Sequence, residues 1–289
     1  SLYTTLEPCT HIGKTPPCVD IIIKKKIKNV FYAFEDPDIR TFKKAKKILK
    51  INGINSKLIK SKRFNEFYKS YFYNKKTSKP YITGKIAISK DYRTISKKKR
   101  WITNDTSRKI VHLLRNKYDC IMSTSKSINN DNALLNCRIE GLNNDKPDLF
   151  IIDLNLKLKK NLNLNNLLKK RKTFLITLKK NIKKITKYKK LGFRFILINS
   201  LENKEDFSKL SKRIYKFGYT RLLVESGLTF LNYLIKNNIM NDLYIFKTNN
   251  NLGKNGKNNN TIGYLKKSFF SKKVTIDLNG DKLFKKKFK

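Results

Sequence analysis

Residues 6–18 read Leu6-Glu7-Pro8-Cys9-Thr10-His11-Ile12-Gly13-Lys14-Thr15-Pro16-Pro17-Cys18. Two cysteines flank a turn-rich loop, and Cys18 sits where a helix begins. A helix N-terminus favours the thiolate, the form of cysteine that binds metal. On one side of the loop, Leu2 to Leu6 is rich in β-formers and predicts a strand. On the other, Cys18 to Lys28 predicts a helix with Ile21, Ile22 and Ile23 at its centre. A strand over Val30–Phe34, a helix over Thr41–Ile51, a strand over Ser56–Ile59 and a helix over Phe64–Tyr73 continue the alternation. This order predicts a layered α/β domain. The chain opens on Ser1 inside a strand, so a fragment of a longer protein is expected.

The polar stretch Asn74–Pro80 is the expected linker, and a second α/β pattern follows it. Strands are expected over Tyr81–Ser89, Tyr118–Ser123, Leu149–Asp153, Thr173–Thr177, Arg194–Asn199, Arg221–Glu225, Asp242–Lys247 and Val274–Leu278. Helices are expected over Asn104–Lys117, capped by Asn104 or Asp105, and over Lys204–Phe217 and Leu228–Asn238. Two low-complexity stretches, Leu156–Asn181 and Asn249–Asn260, are expected to be surface excursions.

Hydrophobic residues make up 39% of the 289, and four are cysteines. That is too few cysteines for a disulfide scaffold. No apolar run approaches the roughly 20 residues of a membrane span. A reduced, cytoplasmic protein without membrane contact is expected. The formal charge is +46, from 67 Lys and Arg against 21 Asp and Glu. By type there are 56 Lys, 11 Arg and 33 Asn, spread over the whole chain. These are residues of AT-rich codons, so the charge reads as genome bias rather than a patch selected for nucleic acid. Salt-sensitive, nonspecific attraction to polyanions is still expected.

Pro8-Cys9 after a strand, with a second Cys before a helix, resembles the zinc deaminases, whose zinc activates a water. The longer form Pro-Cys-x-His-x-Gly-x-Thr-Pro-Pro-Cys resembles the bifunctional riboflavin-biosynthesis deaminase–reductase family. The resemblance implies that Cys9 and Cys18 are two ligands of Zn2+. The family's third ligand and catalytic Glu come from a His-Ala-Glu segment that does not occur here. The chain's two His are His11, two residues from Cys9, and His112. Deamination by this chain alone is therefore not expected. Cys120 and Cys137 read as small core residues.

Five further segments in family order extend the resemblance over nearly the whole chain. They are Lys85 to Asp91, Trp101-Ile102-Thr103, Leu113-Leu114-Arg115, Asp131 to Arg138, and Val224 to Thr229. The implied fold is α/β throughout: the remnant of a cytidine-deaminase-like α/β domain over 1–78, then a dihydrofolate-reductase-like α/β domain over 79–289. The implied reaction is hydride transfer from NADPH to C1 of the ribose of 5-amino-6-(5-phosphoribosylamino)uracil. The expected partner is thus a small phosphorylated pyrimidine, and a homo-oligomer is left open.

Lys85 and Asp131 are the expected catalytic residues, with Asp131 or a water moving a proton during ring opening. Ala87, Trp101, Ser127, Asp131 and the run Gly227, Leu228, Thr229, Phe230, Leu231, Asn232, Tyr233 match cofactor positions. Gly227 ends an apolar strand and opens a helix whose N–H groups suit phosphate. Lys99, Arg115, Leu135, Arg138 and Glu225 match substrate positions, and an Arg fork suits a phosphate. Tyr92, Lys99, Ala133, Asn136 and Leu154 depart from the family pattern. A reductase with a vestigial deaminase domain and a basic nucleic-acid-binding protein are the alternatives.

Overall fold

A computed structural model describes residues 1–59, 61–142, 147–263 and 272–288. It divides into two compact units, Ser1–Ser78 and Lys79–Lys289.

The first unit contains β1 (Leu2–Leu6), α1 (Cys18–Lys24), β2 (Asn29–Phe34), α2 (Lys44–Ile51), β3 (Asn55–Leu58) and α3 (Asn65–Thr77). The strands are parallel in the order β1-β2-β3, with Leu2 opposite Val30 and Asn29 opposite Asn55. Val19 and Ile22 of α1 and Ala45 and Leu49 of α2 pack on Val30 and Ile54. The buried carboxylate of Glu7 accepts the backbone N–H groups of Asp36, Lys43 and Ala45, each at 3.1 Å. It thus supplies acceptors that α2 lacks from its own cap residue. Burial raises the Glu7 pKa despite these three bonds.

Three expectations shift here. The first helix stops at Lys24 rather than Lys28, because Lys26 turns left-handed at φ 50°. The second starts at Lys44 rather than Thr41, because Lys43 is left-handed at φ 57°. The expected linker Asn74–Pro80 is shorter: α3 runs to Thr77, buries Asn74, and ends where Ser78 takes φ 53°.

The second unit is built on β4 (Tyr81–Ile88), β6 (Cys120–Thr124), β7 (Asp148–Ile152), β8 (Thr173–Leu178), β9 (Arg194–Ile198), β10 (Arg221–Glu225), β11 (Asp242–Lys247) and β13 (Lys282–Lys287). Their order is β13-β11-β4-β10-β6-β7-β8-β9, parallel except for β13 on β11. A two-residue ladder joins β5 (Ile95–Ser96) to β12 (Gly256–Lys257). The helices are α4 (Asp105–Asn116), α5 (Ser125–Asp131), α6 (Thr186–Lys190), α7 (Lys204–Lys216) and α8 (Leu228–Lys236).

Alternation along the strands makes two cores. Ile82, Ile86, Ile88, Leu222 and Val224 pack with Phe207 and Leu210 of α7 and Leu228 and Leu231 of α8. Ile121, Ile151, Leu175 and Leu223 face the other way. Gly84 is required in β4, since a Cβ there would lie 2.8 Å from Met240 and 2.9 Å from Leu243.

Leu156–Asn181 is not a surface excursion. Its Leu158, Leu162 and Leu164 are buried in the second core, and Leu167 is buried as well. The expected strand Val274–Leu278 is also absent: Lys273 makes one bridge to Phe284, Leu278 plugs a small core, and the strand forms at Lys282–Lys287. That strand is an edge rich in Lys, a composition suited to blocking edge-to-edge pairing.

Candidate active site

β10 lies beside β4 in parallel register, with Glu225, the last residue of β10, opposite Lys85 within β4. The connection after β4 runs past β10 to β6, and the connection after β10 runs past β4 to β11, so both cross this strand pair. Period two places Lys85 and Ala87 on the face opposite Ile86 and Ile88. The Lys85 ammonium is 3.4 Å from Glu225 Oε2. Arg115, in the last turn of α4, grips the same carboxylate as a fork, Nε to Oε1 at 2.6 Å and Nη2 to Oε2 at 3.0 Å. Its Nη1 donates to the Asn136 carbonyl at 3.0 Å.

Local sequence explains how α4 delivers Arg115. Asn104, not Asp105, caps the helix by accepting from Ser107 N at 2.8 Å. Val111 and Ile110 then seat the helix on Phe246 and Leu283. Burial alone would raise the Glu225 pKa, but Arg115 and Lys85 outweigh it and hold the carboxyl at about 2. Burial lowers the Lys85 pKa against the pull of Glu225, and Arg115 adds to the lowering.

The loop after α5 crosses this ladder. Asn132 and Leu135 both take left-handed backbone, at φ 46° and 50°. Leu135 is buried, while Arg138 is exposed and donates to Asn136 Oδ1 at 2.9 Å. Arg100 donates to the Asp131 carbonyl at 3.1 Å. Asp131 is exposed, and the desolvation its carboxyl does undergo raises its pKa against Arg100 and Lys85.

His112 also belongs here and was not anticipated as a site residue. Its Nδ1 lies 3.0 Å from the Asn136 carbonyl and 3.2 Å from the Arg138 N–H. Burial, then the charges of Arg115 and Arg138, hold it neutral with a pKa of about 4. The available signal was its place three residues before Arg115, on the same helix face.

On the other flank, Gly227 opens α8 and donates its N–H to Ser127 Oγ at 3.3 Å. A Cβ at Gly227 would lie 3.0 Å from Asn259 Nδ2. Of the run that follows, Leu228 and Leu231 point into the core and can reach a ligand only through their backbone. Thr229 is exposed, and Asn232 Nδ2 donates to the Thr261 carbonyl at 2.9 Å. Phe230 and Tyr233 stack, and Tyr233 Oη donates to the Asn203 carbonyl at 2.8 Å. Ala87 is half-buried beside α4. Trp101, 50% exposed, lies between the Arg100 and Arg108 guanidiniums. Lys99 is exposed, its side chain in no bond with the Lys85–Glu225 pair among the described residues. Tyr92 holds φ 63°, the conformation that a family Gly adopts freely, and carries Lys247 over its ring at 4.0 Å. Leu154 packs against the main core.

In the first unit, Cys18 N–H donates to Cys9 Sγ at 3.1 Å, and both thiols are free. His11 Nδ1 lies 3.0 Å from Thr41 Oγ1, so its bond is with Thr41. Among the described residues no group of three or more His, Cys, Asp or Glu could hold a metal ion. Two thiols are half a tetrahedral zinc set, and no zinc step is derived from them.

A family model described as the RibD C-terminal domain matches residues 80–267. The riboflavin biosynthesis protein RibD of Buchnera aphidicola subsp. Baizongia pistaciae is 33% identical over 272 residues, covering 84% of this chain and 68% of that one. Its counterpart from Actinobacillus pleuropneumoniae is 27% identical over 248 residues, covering 84% and 65%. The chain thus spans about two thirds of the length of these relatives. Among solved structures, Acinetobacter baumannii RibD superimposes with a TM-score of 0.81 at 22% identity, over 98% of this chain and 80% of that one. A Saccharomyces cerevisiae riboflavin biosynthesis reductase gives 0.58 at 20%, over 78% and 98%. The matched domain holds Lys85, Arg115, Arg138 and Glu225 together, and the chain belongs to the RibD family.

Proposed function

We propose that residues 79–289 reduce the ribosyl group of 5-amino-6-(5-phosphoribosylamino)uracil to the ribityl group, with NADPH as the donor. The observation that carries this reading is the Arg115–Glu225–Lys85 ladder across β10 and β4, beside Arg138 and Asp131. Cations outnumber carboxylates there, which suits a phosphorylated substrate.

The residues fit a dinucleotide. The backbone at Gly227 is bare, in a place where a Cβ would crowd Asn259, and the first N–H groups of α8 lie beside it. Ser127 and Gly227 would hold the phosphates, with Ala87 and Trp101 along the remaining length. NADPH, when bound, supplies the hydride that adds to C1.

The chain's own groups do the rest. Arg138 takes the substrate phosphate, and the backbone at Leu135 lines the substrate's pocket. Lys85, oriented by Glu225, donates to the ribose oxygens. Ring opening puts a proton on the ring oxygen as its bond to C1 breaks. Asp131, close enough to Lys85 and Arg100 to feel their charges, or a water moves this proton. One hydride and one proton together convert ribosyl to ribityl.

Steady-state NADPH oxidation with this substrate tests the reading. Turnover is expected, and Arg138→Ala should raise KM on the order of 100-fold, as loss of a charged phosphate contact does. Turnover with an unchanged KM in Arg138→Ala would contradict the assignment.

Zinc-dependent deamination of the diaminopyrimidine precursor is proposed for the full-length protein only. One zinc per full-length chain supports it, and none contradicts it.

A further inference from the structure

Arg171 is 6% exposed and lies just before the N-terminal end of β8, whereas Glu225 is at the C-terminal end of β10. Its Nη1 donates to the Leu135 carbonyl at 2.6 Å and to the Pro147 carbonyl at 3.3 Å, and its Nη2 donates to the Leu134 carbonyl. Among the described residues it makes no ion pair, and its Nε has no hydrogen-bond partner. The nearby carboxylate of Asp148 is already taken by the Lys172 N–H and the Tyr219 hydroxyl. A buried guanidinium given over to backbone carbonyls is costly unless the arrangement it fixes is needed.

The arrangement it fixes is the 132–138 loop. Leu135 is held at φ 50°, a left-handed conformation that is unfavourable for a bulky side chain. The next carbonyl, of Asn136, is fixed by Arg115 Nη1, whose other two donors hold Glu225. Consecutive carbonyls are therefore pinned from two sides by two arginines. One of these, Arg115, also holds Glu225 beside Lys85. With 56 Lys and 11 Arg in the chain, an Arg at this buried position is also not the residue the composition favours. Only the planar fork reaches two successive carbonyls and a third from Pro147.

We propose that Arg171 is a positioning residue for the substrate: it locks the 134–138 backbone so that the main chain at Leu135 and the side chain of Arg138 face the phosphorylated pyrimidine. This rests on the substrate roles proposed above for Leu135 and Arg138.

The test uses the full chain with Arg171→Met and Arg171→Lys, and three readouts. Hydrogen exchange comes first and needs no turnover. Amides 134–138 should exchange faster in Arg171→Met while those of β6, β7 and β8 keep their protection. Unchanged exchange at 134–138 overturns the clamp. Second, KM for the ribosylaminouracil phosphate should rise about 10- to 100-fold, the scale of a displaced contact, with Arg171→Lys intermediate. Third, the Kd for NADPH, read by fluorescence, should stay within about twofold of wild type. A KM that does not move, or an NADPH Kd that rises in step with it, overturns the positioning role. If instead wild type turns over and Arg138→Ala leaves KM unchanged, the substrate reading fails, while the exchange data still decide the clamp.

Discussion

Glu225 stands opposite Lys85 in the register of β10 and β4, and Arg115 closes on the same carboxylate from α4. One carboxylate is shared between two cations with little access to water. Replacing Glu225 by Gln leaves both cations buried and unpaired. Breaking a buried pair in this way costs about 3–5 kcal/mol. Glu225→Gln should therefore lower the denaturation midpoint and reduce turnover on the order of 100-fold. A midpoint within about 0.5 kcal/mol of wild type by denaturant titration would show that the ladder does not carry this weight.

The same region sets an acid limit. His112 has a folded-state pKa of about 4, below its ordinary 6.5. The unfolded chain therefore takes up this proton first. The stability tied to a neutral His112 is complete above pH 6.5 and is lost as pH falls from 6.5 toward 4. Glu225, held at about 2 against an ordinary 4.5, adds a second loss as pH falls from 4.5 toward 2. A stability–pH curve should show both, and His112→Asn should flatten only the upper window. A curve for that variant identical to wild type between pH 6.5 and 4 would contradict the assignment.

Leu164, 1% exposed, tests the unexpected core. Leu164→Ala should destabilise by about 2–5 kcal/mol, the range for a buried leucine. A loss below about 0.5 kcal/mol, the size of a surface substitution, would return this stretch to the surface.

Asp91 ties a distant loop to the end of β4. Its carboxylate accepts the Leu252 N–H at 3.0 Å, the Gly253 N–H at 2.9 Å and the Ser89 hydroxyl at 2.6 Å. Burial would raise its pKa, but these bonds lower it. Asp91→Ala should speed amide exchange at 252 and 253 and cost about 1–3 kcal/mol. Unaltered exchange there would show that the loop is held by the β5–β12 ladder alone.

Much of this architecture is legible in the sequence. The run 81–88 carries the β-branched Ile82, Thr83, Ile86 and Ile88, and 222–224 is the apolar Leu-Leu-Val, so their strands follow from composition. Lys85 and Glu225 are legible as motif residues, but their opposition is not. It depends on β10 entering between β4 and β6, a choice made by tertiary packing. Helix α5 is hidden because Ser-Lys-Ser-Ile-Asn-Asn-Asp has weak helix propensity. It forms because Thr124 caps it, accepting from Ser127 N at 3.3 Å, and Ile128 is buried. In 156–167 the Lys and Asn between the leucines mask an apolar spacing that only the irregular backbone aligns. His112 was passed over because a lone His on an amphipathic helix carries no spacing motif. Its importance comes from Asn136 and Arg138, which fold back onto it.

In the proposed reaction this chain delivers hydride to C1 of the phosphorylated ribosylaminouracil. The direct measurement is the fate of deuterium from the transferable position of labelled NADPH, followed by mass spectrometry and NMR of the product. The account predicts deuterium on C1 of the ribityl group, with product formation sharply reduced in Glu225→Gln. Deuterium elsewhere, or no consumption of NADPH by the folded chain, would contradict it.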